Sequence, residues 1–226
     1  MGNNGRDNAA TGAQPYTLLS PATVFPVTLA ELKAWLKVTS NSEDALLTMI
    51  IQGCTEAAEL YTKRDFITKS YLTYRDRFGD YGEQPLYAGY PAQKVYTFYE
   101  LPIVLRRSKL QSILSIKYWL DNVLTTWNAA EYYIVNKSAW SQVLPVDDFD
   151  YPSHDQRLQA IQIEFTAGYG ATGADVPAAL RMALLSHMAS VYTNRGDCSA
   201  AGCSCDAAPM SARAVYQQYR IVDFVL

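Results

Sequence analysis

The sequence predicts an α+β fold: a helical core of two N-terminal helices plus one after the strands, an inserted antiparallel β-sheet region, and an extended C-terminal tail. Three observations predict it. From Thr28 to Arg64 apolar residues recur every three or four positions, as on one side of a helix. From Phe66 to Thr166 they alternate in short runs split by Gly, Pro, Asn and Asp, as in strands with one wet face. From Asp175 to Asn194 the helical spacing returns. The expected organisation is an extended arm over 1–27, a helical pair over 28–64, the β region over 65–166 and the third core helix over 167–196. A cysteine-containing loop, a short helix and the tail follow over 197–226.

The arm holds Pro15, Pro21 and Pro26, which keep it extended. Its apolar Tyr16, Leu18, Leu19, Val24 and Phe25 fit either a frayed terminus or a ribbon lying on a neighbouring surface. Thr28-Leu29-Ala30-Glu31 is a capping box that opens the first helix, with Leu29, Leu32, Trp35 and Leu36 on one face. Ser42 is the expected cap of the second helix, with Glu43 and Asp44 in its first turn. Its expected inner stripe is Leu46, Met49, Ile50, Gly53, Ala57, Leu60 and Tyr61, with Gly53 and Ala57 a flat place for another helix. Glu56 and Glu59 fall on its polar side.

Strands are expected over 71–78, 95–101, 110–120, 123–127, 132–135 and 158–166. In the first, Leu72, Tyr74 and Phe78 face one way; in the third, Leu114, Ile116, Tyr118 and Leu120 do. Asp121-Asn122 is a turn, and Ile161, Ile163 and Phe165 make the last strand the clearest. Asp175 is the expected cap of the third helix, with Pro177 in its first turn and Leu180, Leu184, His187, Met188 and Val191 inward. Ser211 to Gln218 form a short helix before the β-prone end, Tyr219 to Leu226.

Composition narrows the function. Of 226 residues 49% are hydrophobic and 18% charged, enough for a sizeable core. Seventeen tyrosines stand against 7 Phe and 4 Trp, an excess that suits half-buried sheets and subunit contacts. The formal net charge of -3, with no basic run beyond Arg106-Arg107, argues against gripping nucleic acid by its phosphates. DNA sliding past without specific binding remains compatible with it. No apolar run reaches the ~20 residues of a membrane span, and residues 1–14 lack the apolar core of a signal peptide. The expectation is a soluble chain made in the cytosol, with no membrane partner.

Candidate chemistry is sparse, and the expectation is no enzyme and no cofactor. His187 lies on an apolar helix stripe, the place of a satisfied interior or interface histidine, and His154 in a turn-like run. Cys198, Cys203 and Cys205 are spaced C-x₄-C-x-C, without the paired spacing or histidine pair of a structural zinc site. A reduced loop or a disulfide formed after release are the readings for them. Cys54 reads as a small core residue. Gly168 to Gly173 lack the Lys-Ser/Thr of a phosphate loop and read as a strand-to-helix turn. Asp147, Asp148 and Asp150 read as a solvated loop or weak cation site. No nucleophile, base and orienter converge.

Four segments carry a resemblance. Val27 to Leu36 followed by Glu43 to Leu47 is the first, and Tyr61-Thr62-Lys63-Arg64 running into Ile67-Thr68 and Leu72-Thr73-Tyr74 the second. The third is Phe165-Thr166-Ala167-Gly168-Tyr169-Gly170, then Val176-Pro177-Ala178-Ala179-Leu180, then Tyr192-Thr193-Asn194-Arg195. The fourth is Ala212-Arg213-Ala214-Val215 with Tyr219-Arg220. In this order they resemble the head–tail connector (adaptor, head-completion) proteins of long-tailed bacteriophages, over about residues 27–226. The arm is longer than the family's, the three-cysteine loop is not part of its pattern, and Gln217-Gln218 replace its Pro-containing approach.

The resemblance implies a virion structural protein at the neck. Such proteins form a closed head-to-tail ring of about twelve copies beneath the portal. The ring prolongs the DNA channel and docks a tail-side stopper or tail protein. It also implies that the C-terminal segment binds portal: Tyr219, Arg220, Ile221, Val222, Phe224, Val225 and Leu226. Physics agrees, since an exposed apolar end is a liability until it joins another chain's sheet. The alternative is that it pairs with its own β region. Competing functions are a stopper or tail-end virion protein, a small metal-binding module or hydrolase, and a monomeric β-rich binding domain.

Overall fold

The computed structural model describes residues 16–78, 102–105, 107, 109–136, 141–146, 151–194 and 208–221. The described chain is a mixed α+β fold in which a helical unit and a β unit each build a core. The helices are α1 (Leu29–Leu36), α2 (Asp44–Thr62), α3 (Ala178–Thr193) and α4 (Met210–Tyr219). The strands are β1 (Tyr16–Ser20), β2 (Lys69–Arg75), β3 (Ile103–Leu105), β4 (Leu110–Leu120), β5 (Val123–Thr126), β6 (Tyr132–Asn136), β7 (Ser141–Pro145) and β8 (Ile161–Ala167). They form an antiparallel five-stranded sheet in the order β1-β2-β8-β4-β5 and an antiparallel three-stranded sheet β3-β7-β6.

The helical core is aliphatic. Leu32, Leu47, Ile51, Leu180 and Leu184 are fully buried in it together with Phe66 and Met188. Each such side chain contributes ~1.5–3 kcal/mol by leaving water. Thr28 and Glu31 cap α1 reciprocally, and Lys37 ends it in the left-handed conformation, φ 57°. Trp35, expected inward, is 48% exposed: the short helix gives its inner face to Leu32, flanked by Leu29 and Leu36.

α2 is turned one residue from expectation. Its buried residues are Leu47, Ile50, Ile51, Cys54, Thr55, Ala58 and Thr62. Met49 is 65% and Leu60 83% exposed, and Gly53 and Ala57 also face outward. The helix carries two apolar stripes at the same spacing. The one with two isoleucines and a cysteine removes more apolar surface than one built on Gly and Ala, so it faces in. Ser42 is not the cap; Glu43 holds that position without a side-chain capping bond. Glu59, expected in water, turns its carboxylate to the Phe66 N–H (2.8 Å) and to Lys69 (2.5 Å).

The β core mixes aliphatic side chains with a cluster of rings. Phe78 stacks on Tyr151 (5.3 Å, 13°) and meets Trp127 edge-on at 5.3 Å, while Tyr71 and Tyr16 pack on Phe165. β8 buries Ile161, Ile163, Phe165 and Ala167 in strict alternation, as its sequence predicts. In β2 the inner face is Tyr71 and Thr73, one residue off the expected Leu72 and Tyr74. In β4 the expected alternation breaks at two bulges, between Leu110 and Ser112 and between Ile113 and Ser115. The second puts Leu114 into solvent, 56% exposed, and keeps Ile113 and Ile116 on the core side. Asp121 and Asn122 both have positive φ, 52° and 62°, the pair a two-residue hairpin needs. The Asp155 carboxylate accepts both their N–H groups, at 3.0 and 2.9 Å.

Part of the expected arm is sheet. β1 pairs antiparallel with β2, Tyr16 opposite Thr73, so this stretch lies on its own chain. β3 and β7 were not expected, and the expected strand over 95–101 lies outside the described residues. Asp175 caps the short 3-10 turn Gly173–Asp175 through Thr172, and Pro177 is the N-cap of α3.

Candidate assembly interface

The two cores meet at a buried ionic joint. Asp65, 2% exposed, lies three residues beyond the end of α2. Its carboxylate accepts from Tyr71 Oη (2.7 Å), Arg107 Nε (3.0 Å) and Arg107 Nη2 (3.1 Å), with Lys69 Nζ at 3.4 Å. Arg107 also lies 4.5 Å from the centre of the Tyr71 ring. Burial works against the Arg107 cation, but the Asp65 carboxylate prevails and holds its pKa above the ordinary value. Burial, then the same carboxylate, pushes the Tyr71 hydroxyl up. For Glu59 burial raises the carboxyl pKa against the pull of Lys69 and the Phe66 N–H. Two acids and two bases thus balance where α2 passes into β2.

The third family-like segment explains itself geometrically. Gly168 has φ +147°, and a Cβ there would lie 2.7 Å from the Thr68 Cα. Only glycine lets β8 leave the sheet against the start of β2. The Thr68 N–H then bonds the Gly170 carbonyl at 2.9 Å, and Gln111 Nε2 donates to the carbonyls of Gly168 (2.7 Å) and Tyr169 (3.1 Å). Tyr192 donates to the Glu43 carboxylate, tying the end of α3 to the start of α2. The motif is a set of ties within the fold, as the strand-to-helix reading of 168–173 requires.

The start of the C-terminal tail is fixed. Arg64 Nε donates to the Tyr219 carbonyl (2.5 Å), Arg220 lies 5.3 Å from the centre of the Tyr61 ring, and the Ile221 N–H bonds the Thr62 carbonyl (3.0 Å). Ile221 is 7% exposed. Of the expected portal-binding set, Tyr219, Arg220 and Ile221 therefore touch the C-terminal end of α2 in the same chain. Val222, Phe224, Val225 and Leu226 lie outside the described residues.

His187 is buried in the helical core, its ring edge-on to Tyr216 with the hydroxyl 3.4 Å from Nδ1. Burial raises the Cys54 thiol to about 11. His154 meets Phe78 edge-on at the rim of the β core. Cys198, Cys203, Cys205, Asp147, Asp148 and Asp150 lie outside the described residues. Among the described residues, no three His, Cys, Asp or Glu side chains are grouped to hold a metal, and no helix is long and apolar enough to cross a membrane.

What the surface does offer is uncovered apolar area. Leu18, Leu19, Val24 and Phe25 are 40–48% exposed on and after β1, in a stretch from Asn8 to Ala30 that holds no charged residue. Met49 and Leu60 on α2, Met182 on α3 and Met210 on α4 are 60–83% exposed. Contiguous charge-depleted apolar surface marks protein contacts rather than water contacts.

Residues 26–88 match the model of the phage gp6-like head-tail connector protein family. No curated relative matches. A solved chain from the "Virion of native gene transfer agent (GTA) particle" shares the fold with TM-score 0.66 at 19% identity, covering 92% of this chain and 95% of that one. A chain from the "Neck of empty GTA particle computed with C6 symmetry" gives 0.66 at 18%, covering 92% and 96%. One from the "Neck of native GTA particle computed with C12 symmetry" gives 0.58 at 18%, covering 91% and 96%. At these identities the likeness is one of fold. Motif order, family model and fold coincide, and the resemblance of this chain to the phage gp6-like head–tail connector proteins is thereby shown.

Proposed function

We propose that the chain is a structural, non-catalytic subunit of a phage-like particle's neck: a head–tail adaptor made in the host cytoplasm and assembled into the virion. In this reading about twelve copies close a ring under the portal. The ring extends the channel through which double-stranded DNA passes without specific binding, and a tail-side stopper or tail protein docks below. The family match over residues 26–88 and the fold shared with chains of symmetric necks support it. The net charge of -3 suits a channel wall that does not hold DNA.

The observation that carries the reading is the family match over residues 26–88 together with the shared fold; the anchored start of the tail bears on how the portal contact would be made. The contacts of Tyr219, Arg220 and Ile221 with Arg64, Tyr61 and Thr62 set where the end of the chain begins. Beyond them Val222, Phe224, Val225 and Leu226 form an apolar run suited to joining a sheet of the portal. Tyr219, Arg220 and Ile221 hold the run in position, and the last residues make the contact. Removing Val222 to Leu226 should leave a folded chain, judged by circular dichroism, that no longer pulls down portal. Portal binding undiminished by the deletion would overturn the tail's role.

A further inference from the structure

α2 faces its own core with one apolar stripe and shows a second to the outside. The outer stripe runs Met49, Gly53, Ala57, Leu60, with Gln52 and Glu56 beside it. Gly53 has nothing within 4 Å of where a Cβ would stand, so the middle of the stripe is open and flat. α4 has a shorter outer face, Met210, Arg213, Ala214 and Gln217, at i, i+3, i+4 and i+7, all exposed. Met210 is 77% exposed at one end of it.

The charges of the two helices are complementary. α2 contains Asp44, Glu56 and Glu59 and no lysine or arginine. α4 contains Arg213 and no acid. Asp44 and Glu59 are engaged by Lys33 and Lys69 within the chain. Glu56, in the outer stripe, is bonded by the Gln52 amide at 3.0 Å. An acid at the centre of one apolar stripe and a base at the centre of the other set both register and direction for a contact.

The faces also point the right way. α2 and α4 pack by their inner faces, where the Tyr61 and Tyr216 rings meet at 6.4 Å. Their outer faces therefore look away from each other and are unavailable to one another within a chain. A closed head-to-tail ring needs two different, complementary patches on opposite flanks of one subunit.

Resting on the ring reading above, we infer that the outer stripe of α2 in one copy receives the outer face of α4 from the next. Ala214 seats on the flat at Gly53 and Ala57, and Arg213 pairs with Glu56. The occupant is a second copy of this chain. The helix pair is small: α4, the shorter helix, is about 15 Å long at ~1.5 Å per residue and ~10 Å wide. That is about a fifth of the ~800 Å² per partner of a standard interface. The pairwise contact is weak, and it must be trapped at high concentration.

The test joins two crosslinks on the purified full chain, in a background with Cys198, Cys203 and Cys205 changed to Ser. A short lysine-reactive reagent reports any self-association. Oxidation of an Ala57→Cys, Ala214→Cys double variant reports this contact, and each single variant is its control. Both reagents should give the same ladder of multimers, the oxidative one only in the double variant. Glu56→Arg should abolish the lysine ladder, and adding Arg213→Glu should restore it. A lysine ladder without the oxidative ladder overturns this contact while the ring reading stands. No ladder from either reagent overturns the ring reading and the contact with it.

Discussion

The helical unit and the β unit bury themselves by different means. The helices close on aliphatic side chains from α1, α2, α3 and α4, and α2 alone supplies five apolar residues. The β unit adds rings to its aliphatic residues: Phe78, Trp127, Tyr151, Phe165 and Tyr71 are buried beside Ile103, Leu105, Ile116, Ile161 and Ile163, with Tyr118, Tyr132 and Tyr16 packed against them. Rings give large area with few rotatable bonds, and tyrosine keeps a wet edge, which suits sheets covered on one face. Leucines and isoleucines suit helices that meet along ridges. Tyrosines pack into both cores, Tyr216, Tyr61, Tyr169, Tyr192 and Tyr219 in the helical one and Tyr71, Tyr151, Tyr16, Tyr118 and Tyr132 in the β one. The uncovered apolar surface of the helical unit is therefore a better pointer to partners than the tyrosine excess.

Among the described residues, Asp65 ties the two cores to one another. Asp65→Ala should have the largest effect. It leaves Tyr71 and Arg107 without their acid while Lys69 keeps Glu59, at a cost of about 3 kcal/mol, the low end for a broken buried pair because Arg107 keeps contact with water. In urea the far-UV helix signal and the near-UV aromatic signal should then melt apart. Coincident transitions in the variant would mean that something other than this joint couples the two cores.

Gly168→Ala comes next. Its φ of +147° and the 2.7 Å approach to Thr68 strain any side chain by ~1–3 kcal/mol. The near-UV signal should lose more stability than the helix signal, because β8 is the strand displaced. An unchanged urea midpoint would show that the crossing of β8 and β2 relaxes freely.

The smallest effect belongs to the first cap. Thr28→Ala should cost ~1 kcal/mol, read in the helix signal alone. Its pH dependence has a definite sign. The Thr28 N–H first, then its hydroxyl and Arg181, hold the Glu31 carboxyl below its ordinary 4.5 against the cost of burial. A pKa lower in the folded than in the unfolded chain stabilises fully above about pH 4.5, and the gain is lost as pH falls beneath that. Glu31→Gln should flatten this acid limb; an unchanged limb would place the acid sensitivity elsewhere.

Much of this was legible in the residues. The capping box at Thr28, the Asp121-Asn122 turn and the alternation of β8 are local, and local chemistry writes them into adjacent positions. The family-like order of motifs was legible for a related reason: Gly168, Pro177 and Tyr192 each answer a backbone or tie that sits close to them in the fold. The anchoring of Ile221 on α2 was not legible, because it joins residues 159 positions apart along the numbering, Thr62 and Ile221.

By itself the sequence determined the main periods, the helices and the strands β2, β4, β5, β6 and β8, though not β1, β3 or β7. Period does not say which of two equal stripes on α2 turns inward, nor that an extra residue in β4 throws Leu114 outward, nor that Tyr16–Ser20 completes a sheet. Those were decided only when distant segments competed for the same burial. The winning arrangement removes the most apolar surface from water while giving Asp65 its cations, and neither quantity exists until the chain is folded.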